Sequence, residues 1–175
     1  MTLLDIMKNR RSVRNYTGQE IPAENLEMII QAGLLSPTGK NSKPWEFIVV
    51  RNKETLEKMS GCRTGAANML KGADCAIVVL GDTDKTDTTI EDGSIALANM
   101  HLMADSLGVG SCWIQGRLRP ASDGRTTEEY LREILGYGEK HQLIAVLSLG
   151  MPEKKPEGYV LPDIYSSEKV HFDKF

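Results

Sequence analysis

Three arginines and a hydroxyl group stand close together near the N-terminus, in the run Arg10-Arg11-Ser12-Val13-Arg14. This run is called the arginine segment (residues 10–14). A planar guanidinium group is suited to paired hydrogen bonds with phosphate oxygens. Successive side chains of an extended segment diverge, so one arginine could hold a phosphate while another reaches elsewhere along the same ligand. The segment alone leaves a second interpretation open, a solvated basic turn whose charges favour the C-terminus of a preceding helix.

A second candidate is the proline loop (residues 36–44), which reads Ser36-Pro37-Thr38-Gly39-Lys40-Asn41-Ser42-Lys43-Pro44 and leads to Trp45. Two prolines stiffen a stretch of small polar residues that could present backbone groups and the Asn41 amide to a ring system. The Gly-Lys pair does not make a phosphate-binding P-loop, because Gly33 is one residue too far upstream and Asn41 replaces the required Ser or Thr. An ordinary helix-to-strand connection is the alternative.

A third candidate is glycine-rich and spans residues 107–116. Gly108 and Gly110 begin a G-x-G pattern, but Trp113 occupies the place of the third glycine and the segment precedes a strand. These features exclude a Rossmann dinucleotide fingerprint. Gln115 and Gly116 at the end of the strand could let the backbone approach a flat ligand closely. The alternative is a helix cap followed by a buried tryptophan.

No built-in metal or nucleophilic chemistry is expected from the remaining residue types. The three cysteines and three histidines are widely separated, without a C-x-x-C pair or an H-E-x-x-H spacing. Cys112 is interpreted as a core thiol without an activating charge nearby, and His101 as a structural histidine. An enzyme with this sequence would therefore depend on a bound organic cofactor or on ordinary side chains.

The elements that position these residues alternate between helix and strand. The hydrophobic pattern predicts helices over residues 3–9, from Pro22 to about residue 34, over 53–72, over 91–107 and from a capping box at Thr126 to residue 135. Strands are predicted over residues 46–50, 75–80, 111–114 and 143–149. This order predicts an irregular α+β fold or a three-layer α/β fold.

Composition indicates one soluble domain. The chain has 175 residues, 41% of them hydrophobic and 26% charged, with a net charge of −3. This charge gives no reason to expect a nucleic-acid or membrane partner, and neither a membrane-length apolar run nor a secretory signal is visible. A cytoplasmic location is expected. Residues 151–175 contain three prolines and read as an arm, which needs a surface to pack on; a partner subunit is one solution.

Taken in order, the three candidate segments resemble the nitroreductase family of flavoproteins. The arginine segment resembles the family's R-R-S-x-R signature, and residues 36–45 resemble its S-P-T/S-x-x-N-x-Q-P-W segment. Residues 105–114 resemble A-x-x-L-G-L-G-S-x-W-I, and Leu149-Gly150-Met151-Pro152 resembles a late L-G-x-P. Each motif alone is weak, whereas the ordered set covers most of the chain and is fairly specific.

The resemblance implies an FMN-dependent oxidoreductase that uses NADH or NADPH in ping-pong hydride transfer to nitroaromatic, quinone or related acceptors. It implies a three-layer α/β/α sandwich with a mostly antiparallel sheet over residues 1–150, and a homodimer that exchanges its 151–175 arms and binds FMN at the interface. Arg10 and Ser12 would hold the phosphate with Arg11 alongside, and Arg14 would stabilise the reduced flavin electrostatically from its pyrimidine edge. Pro37, Thr38 and Asn41 of the other subunit would line the ring. The remaining cofactor-binding residues would be Trp113, Ile114, Gln115 and Gly116, the last two near the reactive N5 edge.

Two departures from the family pattern affect the rim of this site. Lys43 stands where the family usually has glutamine, and the arm has no arginine to contact the phosphate, which leaves Lys154 or Lys155 for that role. The chain is also short for the family, so the insertion that often covers the flavin is expected to be missing. Two alternatives stay open: a flavoprotein of the same fold with another task, such as reductive dehalogenation or oxidation of a bound intermediate, and a flavin-binding or sensing protein without efficient turnover.

Overall fold

The fold is built around one four-stranded antiparallel sheet, seen in a computed structural model that describes residues 1–160 and 169–175. The strands are β1 (Trp45–Val50), β2 (Cys75–Asp82), β3 (Gly110–Gln115) and β4 (His141–Gly150), and their order in the sheet is β1-β2-β4-β3. All three strand pairs are antiparallel. All four strands predicted from the sequence are confirmed. The continuous apolar runs of β2 and β4 are those of central strands buried on both faces, whereas the edge strand β1 is partly exposed.

Helices cover both faces of the sheet. They are α1 (Leu3–Asn9), α2 (Ala23–Leu34), α3 (Lys53–Met59), α4 (Thr89–Ser106) and α5 (Thr127–Leu135). On one face, Ile29 of α2 and Met100 of α4 pack with Ile77 of β2. On the other face, Leu56 of α3 and Leu131 of α5 pack with Val78 of β2. Neighbouring residues of β2 thus enter opposite cores, which gives the predicted three-layer α/β/α sandwich.

Two local predictions can be compared with the helix ends. The capping box at Thr126 and Glu129 is present at the start of α5, and Gly108 adopts φ +73 after α4. The predicted helix over 53–72 is wrong, since α3 ends at Met59 and only a short 3-10 turn follows at Asn68–Lys71. Gly65, at φ +69, takes a left-handed conformation that does not continue a helix. The segment between α3 and this 3-10 turn instead borders a cavity of about 450 Å³.

The beginning of the arm packs against the N-terminal region of its own chain. Glu153 and Tyr159 donate backbone hydrogen bonds to the carbonyls of Asn15 and Lys8, at 3.2 and 2.8 Å. Residues 161–168 of the predicted arm lie outside the described residues. Contact between the arm and a partner subunit stays a prediction.

Among the described residues, no helix combines the length and the apolar character needed to cross a membrane.

Candidate functional site

The arginine segment is fixed by backbone contacts to the first residues of β3. Val13 donates its N–H to the Ser111 carbonyl at 2.9 Å, and Ser12 forms an isolated parallel bridge with Ser111. Two glycines of the sequence motifs make this approach possible. A Cβ atom on Gly110 would lie 2.9 Å from Val13 Cγ1, and one on Gly150 would lie 2.7 Å from the ring of Tyr16. The glycines therefore let the segment lie against the sheet.

Arg10 is oriented by a histidine that is distant in sequence. Its Nη1 lies 2.9 Å from Nε2 of His101, whose Nδ1 is hydrogen-bonded to Oγ of Ser111. Arginine has no acceptor, so Nε2 accepts and the imidazole proton is on Nδ1. Burial, assisted by the charge of Arg10, lowers the pKa of His101 to about 4. The predicted structural role of His101 is thus specific: as a neutral imidazole, it connects Arg10 to β3.

The other two arginines of the segment have different surroundings. The Arg11 guanidinium lies 4.0 Å from the centroid of the Tyr159 ring, a cation–π contact with the arm. Arg14 is exposed and borders a cavity of about 450 Å³. The sequence analysis missed several residues that share this cavity, because they come from the segment wrongly predicted as helix. Its lining consists of Arg14, Asn15, Arg63, Gly65, Ala66, Asn68, Met69, Cys112 and Trp113.

Cys112 lies beneath this cavity and is buried, as expected of a core thiol. The expectation that no positive charge lies nearby was wrong, because Arg14 acts to lower its pKa. Burial is the larger effect, and the pKa of the thiol is raised above its ordinary value. The protonated thiol is therefore the favoured form.

The two lysines proposed for the arm differ in their contacts. Lys155 forms an ion pair with Asp105, with 2.8 Å between Nζ and Oδ1. Lys154 borders a cavity of about 290 Å³ together with Ser12 and Arg14. Lys155 also borders a small cavity with Arg11 and Val13. The two lysines thus both lie near the arginine segment, but the charge of Lys155 is paired with Asp105.

Four predicted residues at the end of β3 are held in place by the strand and by each other. Trp113 Nε1 donates to Gln115 Oε1 at 2.9 Å, and Gln115 Nε2 donates to the carbonyl of Arg117 at 3.1 Å. The Ile114 side chain is fully buried, which leaves only its backbone for a ligand. A Cβ atom on Gly116 would lie 2.5 Å from Leu143, so this position requires glycine for packing.

The proline loop runs toward the end of the sheet that is opposite the arginine segment. At its start, Ser36 accepts a hydrogen bond from Asn99 of α4 at 2.8 Å, and at its end it is held by β2 and by the start of α4. Asp82 donates its N–H to the Pro44 carbonyl at 2.8 Å, and Gly39 donates to Asp92 of α4 at 3.0 Å. Trp45, which follows the loop, pairs with Gly81 of β2, and Gly81 pairs with Gln142 of β4. Ser12 of the arginine segment pairs with Ser111 of β3, and Ser111 pairs with Leu149 of β4. Gln142 and Leu149 are seven residues apart along β4, which corresponds to roughly 23 Å of strand.

The predicted ligand-facing residues of the loop are accessible. Pro37 and Asn41 are exposed and Thr38 is half-buried. Asn41 has φ +57, and Lys40 and Lys43 also have positive φ values. Such values are uncommon outside glycine and accompany functional loops more often than ordinary connections. One chain therefore presents an arginine segment fixed against β3 and an accessible proline loop with unusual backbone angles.

Comparisons with known proteins identify relatives along most of the chain. The model of the nitroreductase family matches residues 7–62 and 61–151. A protein of Archaeoglobus fulgidus with the provisional name NADH dehydrogenase/NAD(P)H nitroreductase is 36% identical over 176 residues, which cover 98% of each chain.

Solved structures agree with this match. The structure of an FMN-dependent nitroreductase from Clostridium difficile is 41% identical, has a TM-score of 0.94 and covers 98% of this chain and 99% of its own. A nitroreductase from Bacteroides fragilis, solved with bound FMN, is 25% identical with a TM-score of 0.76 and covers 99% of this chain and 100% of its own.

Proposed function

Because this chain belongs to the nitroreductase family, we propose that it is an FMN-dependent oxidoreductase. It takes electrons from NADH or NADPH and passes them to nitroaromatic, quinone or related acceptors. The observation that carries the proposal is the arginine segment, fixed by its backbone against β3 with Arg14 at the edge of the 450 Å³ cavity. The cytoplasmic location expected from the sequence stays a prediction.

The arginine segment, together with the cavity that Arg14 borders, suits a flat, anionic cofactor. Arg10, Arg11 and Ser12 supply charge-assisted and neutral donors for a phosphate group. His101 limits the orientations of Arg10 through its 2.9 Å contact, so less side-chain entropy is lost when the phosphate binds. Lys154 is the better candidate for a phosphate contact from the arm, because Lys155 is paired with Asp105.

When bound, FMN supplies the redox chemistry by accepting a hydride and passing on its electrons. Arg14 would place a fixed positive charge at the pyrimidine edge of the ring and stabilise the negative charge of the reduced form. Gln115 and Gly116 would lie near the reactive edge. We propose that the donor and the acceptor use this site in turn, in a ping-pong sequence, with water as the source of the protons.

We infer that the site is completed by a second copy of the chain. Pro37 and Asn41 are exposed on the proline loop, and neither they nor Thr38 line the cavity that Arg14 borders in their own chain, so we assign them to a flavin held by another subunit. Six exposed apolar side chains support a dimer surface. They lie on α1, α2 and α4 and directly before the proline loop, and each is at least 40% exposed: Leu3, Leu4, Met28, Leu34, Leu35 and Ile95. Exchange of the 151–175 arms would add to this interface.

The proposal is tested by the flavin content of the purified protein. We expect a yellow protein that releases FMN on denaturation and is bleached by NADH or NADPH under anaerobic conditions. Its absorbance should return when a nitroaromatic or a quinone is added. Flavin that stays oxidised with both nicotinamides would contradict the enzyme and favour a binding or sensing role. Reduction without reoxidation by any of these acceptors would favour another task on the same fold.

A further inference from the structure

Three side chains that could bind a metal ion meet at the end of the sheet where the proline loop joins β1. Asp82, the last residue of β2, is paired with His141, the first residue of β4. Glu46 of β1 pairs with Leu80, two residues before Asp82 on the same face of β2. The antiparallel register thus brings one carboxylate from each of two strands and one imidazole from a third onto one face.

The geometry of this cluster matches a ligand set. One potential ligand atom from each residue lies within 4.8 Å of the other two. His141 Nε2 and Glu46 Oε2 are 3.4 Å apart, which is longer than a normal hydrogen bond. Two ligands that are each about 2.0–2.1 Å from a tetrahedral zinc ion are about 3.4 Å apart. The pair is therefore spaced for a shared ion.

The imidazole of His141 has an unmet need for a partner. Its side chain is only 13% exposed, and neither ring nitrogen has a hydrogen-bond partner within residues 1–160 and 169–175. A buried polar atom without a partner costs about 1–3 kcal/mol, and such atoms in folded proteins call for an explanation, often an ion or a water molecule. Glu46 is 49% exposed and leaves the cluster open to solvent on its side. An ion can therefore enter.

We propose that Glu46, Asp82 and His141 form a binding site for a divalent transition-metal ion, best matched by Zn²⁺. One imidazole and two carboxylates are a ligand set that zinc accepts, with a fourth position left for water. The site does not depend on the flavin. An ion there would join β1, β2 and β4 directly beneath the proline loop, since Asp82 also holds Pro44 through its backbone.

A lysine competes with the metal for Asp82. Lys140 Nζ lies 2.9 Å from Oδ2 of Asp82, and the backbone N–H of Asp84 donates to Oδ1 at 3.1 Å. Each carboxylate oxygen has more than one acceptor position, so these contacts leave room for a metal bond. Lys140 is half exposed and can turn toward solvent. Removal of its charge should strengthen metal binding.

The test is metal titration of the untagged, full-length protein with zinc by calorimetry and with cobalt by visible absorption. We expect one ion per chain and a rise in melting temperature of roughly 5–10 °C when free zinc is about 100 times the dissociation constant. His141→Gln should weaken binding about 100-fold, and Glu46→Gln by a smaller factor. Lys140→Met should tighten binding. The matched control is His171→Gln, which changes an exposed histidine away from the cluster.

The outcomes separate the site from unspecific binding. No saturable binding to the wild-type protein would overturn the proposal, as would equal affinities in the wild type and His141→Gln. Equal weakening in His171→Gln would show that zinc binds to surface histidines. Circular dichroism verifies that each variant is folded. Should His141→Gln fail to fold, Lys140→Met decides, because unchanged or weaker binding in that variant contradicts a metal bond to Asp82.

Discussion

The two ends of the sheet carry specialised residues in different ways. At the β3 end, the arginine segment is fixed by backbone contacts to Ser111 and by the connection from Arg10 through His101. At the β1 end, the proline loop exposes Pro37 and Asn41 and is attached through Ser36, Gly39 and Pro44. The first end is organised within one chain, whereas the second has an accessible face with positive φ values. We infer that the first end holds its ligand in its own subunit and that the second serves a neighbouring subunit.

The largest expected effect is acid destabilisation of the arginine end. The pKa of His101 is about 4 in the folded protein, compared with an ordinary value of 6.5. The unfolded chain binds a proton more readily, so the stability from neutral His101 is complete above pH 6.5 and is lost as pH falls toward 4. The loss is on the order of 3 kcal/mol.

This effect is measured by urea unfolding of the wild type and His101→Gln at pH 7 and pH 4. We expect the wild type to lose more stability than the variant. His171→Gln, with its exposed imidazole, should behave like the wild type. An acid sensitivity that is identical in the wild type and His101→Gln would disprove the buried neutral role.

The next effect is loss of FMN on substitution of Arg10. Arg10→Ala removes a charge-assisted contact to the phosphate that contributes about 1.5–3 kcal/mol, roughly a 10- to 150-fold change in the dissociation constant. Fluorescence titration with FMN measures the change. Arg119→Ala is the control, since Arg119 is exposed and its side chain donates to the carbonyl of its neighbour Leu118. Normal FMN affinity in Arg10→Ala would refute the phosphate role.

A smaller effect on binding, and a larger one on rate, is expected at Arg14. Arg14→Ala removes the charge at the pyrimidine edge of the ring, so the hydride step should slow by roughly 10-fold or more while FMN affinity falls less. Arg14→Lys keeps the charge and should recover part of the rate. Stopped-flow measurement of flavin bleaching by NADH or NADPH tests this. A reduction rate in Arg14→Ala equal to that of the wild type would count against an electrostatic role.

The smallest effect is expected at the proline loop. Asn41→Ala removes a neutral hydrogen bond to the flavin, which contributes about 0.5–1.5 kcal/mol, or roughly a 2- to 13-fold change in affinity. Lys40→Ala is the neighbouring control, because no role toward the flavin is assigned to Lys40. The comparison of the two ends fails if Asn41→Ala costs more FMN affinity than Arg10→Ala.

The sequence predicted the elements whose signals are local. The four strands follow from continuous apolar runs, and α5 follows from its capping box at Thr126. The helix over 53–72 was wrong because its polar composition suits a helix, whereas Gly65 adopts a left-handed conformation. That error concealed Arg63 and Asn68 at the cavity.

Contacts between distant residues left no signal in the sequence. Arg10 and His101 are 91 positions apart, and an isolated histidine on a helix does not indicate its partner. The possible metal ligands Glu46, Asp82 and His141 come from three strands, so they have none of the short spacings that identify a zinc motif. Register within the sheet, rather than spacing along the chain, brings them together.

The central claim is that each flavin site combines the arginine segment of one subunit with the proline loop of another. It is tested most directly by co-expressing two differently tagged chains, one with Arg10→Ala and one with Pro37, Thr38 and Asn41 all changed to alanine. A purified mixed dimer should contain one intact site and bind about half as much FMN, with about half the activity, as the wild-type dimer. Each variant alone should show little of either. A mixed dimer as deficient as the two parents would contradict the claim, because both sites would then be damaged within their own chains.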